Sequence, residues 1–110
     1  MAQSFYGTSL AITNNVRTLV YNSPAGTTSV LHSIYVANTN DTIDLSVDIE
    51  MERATSPGVY TYLGRYIPIP RGGTLIFDKP INFMPGDNIY VTSSFATGTV
   101  DVTISTLKIT

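Results

Sequence analysis

The stretch "TIDLSVDIEMER", residues 42–53, alternates apolar and polar side chains without a break. Ile43, Leu45, Val47, Ile49 and Met51 fall on one side of an extended chain. Asp44, Ser46, Asp48, Glu50 and Glu52 fall on the other. A period of two is the pleat of a β-strand, and a strand with one apolar and one polar face covers a core on one side only. The segment therefore predicts a half-buried antiparallel strand.

The same signal continues outward in both directions. Upstream, "TSVLHSIYVAN" (28–38) is a longer apolar run that reads as a strand covered on both faces, and "TNDT" (39–42) reads as a polar hairpin turn. Before it, "YGTSLAIT" and "VRTLVY" form two weaker strands joined at Asn14-Asn15, with "NSPAGT" as the next loop. Downstream, "ATSPG" turns the chain into "VYTYLGRYIPIP" (59–70), which sets Leu63, Arg65, Ile67 and Ile69 on one face and Tyr60, Tyr62 and Tyr66 on the other. "RGG" (71–73) reads as a tight hairpin into "TLIF", "DKPINF" as a short crossing piece, and "MPGD" (84–87) as a type II turn. "NIYVTSSF" and "TVDVTISTLKIT" read as a last hairpin around "ATG" (96–98). In the final strand Val100, Val102 and Ile104 share a face while Leu107 and Ile109 have the opposite parity, which predicts a bulge or a change of packing partner near Ser105.

Helical periodicity is missing throughout. About eight short strands separated by close-set turns predict an all-β fold, an antiparallel β-sandwich of jelly-roll or immunoglobulin-like order. The chain of 110 residues suits a single domain. Within it, residues 1–28 read as an N-terminal arm and first strands available to an interface, and 29–110 as the sandwich body. Pro68 and Pro70 cannot donate ladder hydrogen bonds, so their strand belongs at a sheet edge, where proline blocks unwanted strand addition.

Composition narrows the function. Charged residues are 13% of the chain, against ~25% for an average globular protein, so the surface is mostly neutral and polar. Such surfaces suit proteins packed against neighbours. The net charge of −2, with no run of Lys or Arg, gives no footprint for nucleic acid. No apolar stretch approaches the ~20 residues that span a bilayer, and "MAQSFYGTSLAITNN" lacks the pattern of a signal peptide. With no cysteine there are no disulfides, thiolate metal ligands or Cys nucleophiles, and the composition fits a reducing cytoplasm.

No catalytic constellation emerges. His32 is the single histidine and shares parity with Val30, Ile34 and Val36, so it reads as a core or subunit-interface residue. The acidic stripe Asp44, Asp48, Glu50 and Glu52 has the spacing to share a cation or flank a glycosidic bond, but cross-strand pairing with Arg53, Arg65 or Lys108 is the simpler account. "ANTNDTIDLSVD" lacks the glycine and terminal glutamate of a calcium loop, and "PRGGT" lacks the lysine and helix of a phosphate loop. Neither a cofactor nor a metal is implied. The candidate contacts are Tyr60, Tyr62 and Tyr66, together with Phe5, Tyr6 and Leu10 of the N-terminal segment. Tyrosine at this density serves a protein interface, stacks on sugars, or simply covers a sandwich.

Four pieces carry a resemblance: "LHSIYVANTND", "DLSVDIE", "YLGRYIPIPRGGTLIF" and "FMPGDNIYVTSSFATGTVDVTIST". The span from about Ser29 to Leu107 resembles small virion structural proteins of tailed bacteriophages. These couple an I-x-V-A-N-T strand to an I-P-I-P-x-G-G hairpin, a P-G-D-x-I-x-V hairpin and a closing G-x-x-D-V-x-I-S strand. The resemblance implies a non-enzymatic β-sandwich of the virion, made in the host cytoplasm. It implies a capsid decoration or cement protein that binds the major capsid protein or other virion proteins. A sandwich with this surface is expected also to bind its own copies, as a dimer or trimer. The alternative is a neck, tail or fibre-associated module, or one that binds host glycans.

Overall fold

The structure is a computed structural model that describes residues 3–95 and 99–109. It contains β1 (Gln3–Ile12), β2 (Thr18–Asn22), β3 (Thr28–Asn38), β4 (Leu45–Glu52), β5 (Tyr60–Ile69), β6 (Thr74–Phe77), β7 (Ile81–Phe83), β8 (Asn88–Ser93) and β9 (Val100–Ile109). There is no helix among the described residues. One sheet has the order β1-β9-β3-β6, with β7 beside β6 on β3, and the other has the order β2-β8-β4-β5. All pairings are antiparallel. We call these sheets A and B.

The topology follows from one doubling of the chain. The turn at residues 54–58 makes β4 and β5 a hairpin. Moving outward from it, β3 pairs with β6 and β7, β2 with β8, and β1 with β9. Rolling that long double strand brings β3 against β9 and β4 against β8, which closes the two sheets. This is a jelly roll, an antiparallel β-sandwich whose eight strands become nine because Asp78-Lys79-Pro80 interrupts one of them. Proline cannot continue the ladder to β3, so β6 ends before it and β7 begins after it.

Most turns read as hairpins instead cross between sheets. "TNDT" joins β3 of sheet A to β4 of sheet B, and "RGG" joins β5 of sheet B to β6 of sheet A. The latter is a tight turn, as its Gly73 N–H to Pro70 O bond of 2.8 Å and Gly72 φ of 71° show, but it caps the end of β3 through Asn38 rather than pairing β5 with β6. "ATG" falls outside the described residues; the strands on either side of it, β8 and β9, also lie in different sheets. Turn chemistry reports that a chain reverses, not whether the two arms share a ladder. "MPGD" does form the type II turn, with Gly86 at φ 86° and Asp87 N–H bonded to Met84 O.

The inward faces meet in one core. Leu45, Val47, Ile49 and Met51 of β4 are buried, as the alternation predicts, and they pack with Val20, Tyr21, Leu31, Ile34, Val36, Ile69, Phe83, Ile89, Val91 and the β9 residues Val100, Val102 and Ile104. The parity puzzle of the last strand resolves on its neighbour. Between Leu31 and Ser33 the register of β3 on β9 shifts, so His32 is the extra residue. β9 itself runs regularly against β1, and Leu107 simply points to the outer face. β3 is accordingly not covered on both faces: Leu31, Ile34 and Val36 face inward, while His32 and Tyr35 are exposed.

Candidate functional site

The outer face of sheet B gathers aromatic and arginine side chains. Glu50 and Glu52 of β4 stand opposite Tyr62 and Tyr60 of β5 on one side and Tyr90 and Asn88 of β8 on the other. Arg17, just before β2, reaches across this face. Its guanidinium pairs with Glu50 at 3.1 Å on two bonds and lies 3.8 Å from the centroid of the Tyr60 ring. Tyr60 and Tyr90 meet edge to face at 5.5 Å. Glu50 is therefore buried although it belongs to the outer face. The Tyr90 hydroxyl donates to Glu52, which also accepts from Gly58 N–H and Asn88 Nδ2. Those bonds, Gly58 first, hold the Glu52 carboxyl below the usual range, and burial together with Glu52 pushes the Tyr90 phenol up.

At the edge of this face β5 bulges twice. Ile49 faces Gly64 and Glu50 faces Tyr62, so Leu63 is extra; Val47 faces Ile67, so a second residue is extra near Tyr66. Tyr66 takes φ 53°, a left-handed conformation that a bulky residue rarely adopts. Its N–H donates to Asp48 Oδ1 at 2.8 Å, so an acid of the stripe holds the bulge. The bulge also corrects the expected face of Arg65. It does not join Leu63, Ile67 and Ile69 but is exposed, with its guanidinium 4.9 Å from the Tyr62 centroid and 4.5 Å from that of Tyr66, and it donates to the Tyr66 hydroxyl. Tyr62 and Tyr66 are 45% and 65% exposed, and beside Tyr66 lies a notch of about 160 Å³ lined by Ser46, Asp48, Thr92 and Ser94. The three tyrosines thus divide: Tyr60 is covered by Arg17, while Tyr62 and Tyr66 flank Arg65.

The N-terminal candidates lie on sheet A and on both of its faces. β1 pairs with β9 over its whole length. Phe5 is on the outer face, 75% exposed, edge-on to the exposed His32 at 6.4 Å. With Val30, Leu107, Asp78 and Pro80 they line an open groove of about 480 Å³. His32 therefore leaves the core and shares no face with Ile34 and Val36, because the bulge flips its parity. Tyr6 points the other way, against Tyr21 at 6.2 Å and beneath Lys108 Nζ at 3.9 Å. Leu10 is half-buried against the core.

The acidic stripe is engaged, with partners other than those expected. Asp44 bonds Arg71, which holds its carboxyl low; Glu50 bonds Arg17; Asp48 bonds the Tyr66 amide. Arg53 pairs instead with Asp87, and both Arg65 and Lys108 lie on tyrosine rings. Among the described residues no three metal-ligating side chains cluster. Sequence reasoning missed Arg17, Tyr90 and Asp87. Tyr90 was open to discovery, since alternation in "NIYVTSS" sends it outward; Arg17 was not, because its partners lie more than thirty residues away.

No protein-family model matches the chain, and no curated protein does. Solved structures do share its fold. A chain from the acid-stable capsid of Helicobacter pylori bacteriophage KHP30 superposes with a TM-score of 0.65 at 7% identity, over 99% of this chain and 98% of that one. A chain of the disulfide-linked Bacillus endospore appendages superposes at 0.56 and 14% identity, over 100% and 91%. A chain of infectious bursal disease virus, Gx strain, superposes at 0.53 and 11% identity, over 98% of this chain and 37% of that one. At these identities the likeness is one of fold.

Proposed function

We propose that this chain is a virion structural protein that decorates a viral shell, binding the major capsid protein or another virion component as well as its own copies. The observation that carries the reading is the outer face of sheet B. There two exposed tyrosines flank an arginine on a bulged edge strand. Tyrosine and arginine are enriched among the residues that dominate the energetics of protein interfaces: tyrosine offers a large contact area at small entropic cost, and arginine a planar fork of directed donors. An end-to-end likeness of fold to a chain of a phage capsid supports the reading. So does the low charge content, 13%, which lowers the desolvation cost of packing against a neighbour. Many copies on one shell would then add weak contacts through avidity.

The test uses shells depleted of the protein, re-bound with purified chain and sedimented. Truncating two interface tyrosines costs roughly 1–2 kcal/mol each, so Tyr62→Ala/Tyr66→Ala is expected to bind at least ~10-fold more weakly at an unchanged melting temperature. Equal binding by that variant would remove this face from the attachment. Label found on the neck, tail or fibres instead of the shell would decide for a tail-associated module. Host-glycan binding has one observation in its favour, the exposure of Tyr62 and Tyr66. It requires glycan-array binding that the same double variant loses.

A further inference from the structure

Two sheets have four edge strands, and an unpaired edge is a template for any other strand. Three of these edges carry a device that spoils them. β5 has two register shifts, a residue at positive φ, and Pro68 and Pro70 at its end. β2 is five residues long and shifts register between Leu19 and Tyr21. The edge made by β6 and β7 is interrupted by Asp78-Lys79-Pro80. β1 has none of these. It runs for ten residues, "QSFYGTSLAI", without a charge or a proline, and keeps unbroken register with β9 from Gln3↔Ile109 to Ile12↔Val100. Alternate residues of an antiparallel strand turn both N–H and C=O away from the neighbour, so β1 directs about five of each at its open side.

We propose that this edge pairs with the β1 strand of a second copy, antiparallel across a twofold axis, making sheet A continuous through the dimer. The second copy is the occupant for two reasons. The first is closure. A β1–β1 contact is isologous, so it consumes the open edge of both molecules and leaves none to recruit a third. The second is the sequence of the strand. A twofold axis normal to the sheet keeps outer faces together, so only residues of equal parity oppose each other. Centred on Thr8, the pairing sets Tyr6 against Leu10, Phe5 against Ala11, Ser4 against Ile12 and Gly7 against Ser9. Each aromatic ring then meets an apolar side chain of the other copy, the kind of cross-strand pair that stabilises sheets. Centred on Gly7, the pairing would waste Leu10 on Ser4. β1 itself offers no charge to pair with a charged strand of another protein, and at a net charge of −2 two copies repel only weakly.

The inference does not rest on the virion reading, because purified protein alone tests it. Sedimentation equilibrium is expected to show a monomer–dimer equilibrium for the natural chain. Gly7→Lys/Ser9→Lys places like charges opposite each other on both sides of the axis. Gly7 accepts a side chain, since the nearest atom to an added Cβ is Ile104 O at 3.8 Å, and Ser9 is exposed. This variant is expected to dimerise at least tenfold more weakly with an unchanged circular dichroism spectrum. Mixing it with Gly7→Glu/Ser9→Glu is expected to restore a dimer containing one of each. Because the chain has no cysteine, Thr8→Cys provides a single thiol that mild oxidation is expected to link across the axis, whereas Thr103→Cys on β9 is expected to stay unlinked. A natural chain that remains monomeric up to about 100 µM would overturn the proposal. So would a dimer that tolerates the lysine pair, or β1 amides protected from hydrogen exchange only when shells are added, which would seat a shell strand on the edge.

Discussion

Asp87 shows how much one buried residue can hold. The residue is 1% exposed, yet its carboxylate accepts from Ala54 N–H, Met84 N–H and Arg53 at 2.8 Å, tying the turn after β4 to the turn before β8. Burial alone pushes its pKa up; the two amides and Arg53 outweigh burial and leave it below the ordinary value of 3.8. A carboxyl with a lowered folded pKa contributes stability that is complete above its unfolded pKa, ~3.9, and is lost as pH falls through the folded value. Stability of the natural chain is therefore expected to stay level on this account down to about pH 4 and to decline below it. Asp87→Asn keeps the shape but sets an amide N–H₂ against donors and leaves Arg53 without its charge partner. It is expected to cost about 3 kcal/mol at neutral pH and to flatten the decline below pH 4, both read from urea unfolding across pH. "MPGD" betrayed the turn but not this role, because Ala54 and Arg53 are more than thirty positions away in sequence.

At the scale of the element, β5 shows what alternation can and cannot convey. The even-numbered tyrosines read as one stripe only if the strand is regular. Two extra residues preserve parity overall, so Tyr60, Tyr62 and Pro68 do face outward, but between the bulges Arg65 joins them. Gly64 was the local sign, since a side chain there would run into Ile67. β3 differs by a single extra residue at His32, so every side chain beyond it swaps face, and no residue type marks the site. The β4 alternation survived intact because the extra residues of both shifts in its ladder with β5 lie on β5, and its ladder with β8 is regular. Tyr66 follows from this. A non-glycine residue in the left-handed region costs on the order of 1 kcal/mol. Tyr66→Gly removes that strain and the contact with Arg65 together, so stability is expected to change by less than about 1 kcal/mol. Under the shell-binding role proposed above, attachment is nevertheless expected to weaken, so thermal melting beside re-binding separates the two. A loss of stability well beyond that range would make Tyr66 a structural residue.

For the whole molecule, the decisive fact is that its first and last strands pair with each other. β1 lies along β9, with Gln3 opposite Ile109 and Ile12 opposite Val100. β2 pairs with β8, and Ile12, Val20 and Tyr21 are buried in the common core. The strands and turns were legible in the sequence because their signals are local. Which strand neighbours which was not, since every ladder but β4–β5 joins segments that the sequence keeps apart. This geometry makes residues 1–28 a test of how the fold coheres. Fully burying one large apolar side chain contributes roughly 1.5–3 kcal/mol, so losing Ile12, Val20 and Tyr21 removes on the order of 5–9 kcal/mol before the broken ladders are counted. That rivals the entire stability of a typical domain, about 5–15 kcal/mol. A fragment comprising residues 29–110 is therefore expected to show no cooperative unfolding transition in urea, where the full chain shows one. Adding a peptide of residues 1–28 is expected to restore β-sheet circular dichroism in proportion to its concentration, because the missing strands have vacant partners in β8 and β9. A fragment that unfolds cooperatively by itself would mean that the first 28 residues are an appendage and that β3 to β9 suffice to close the sandwich.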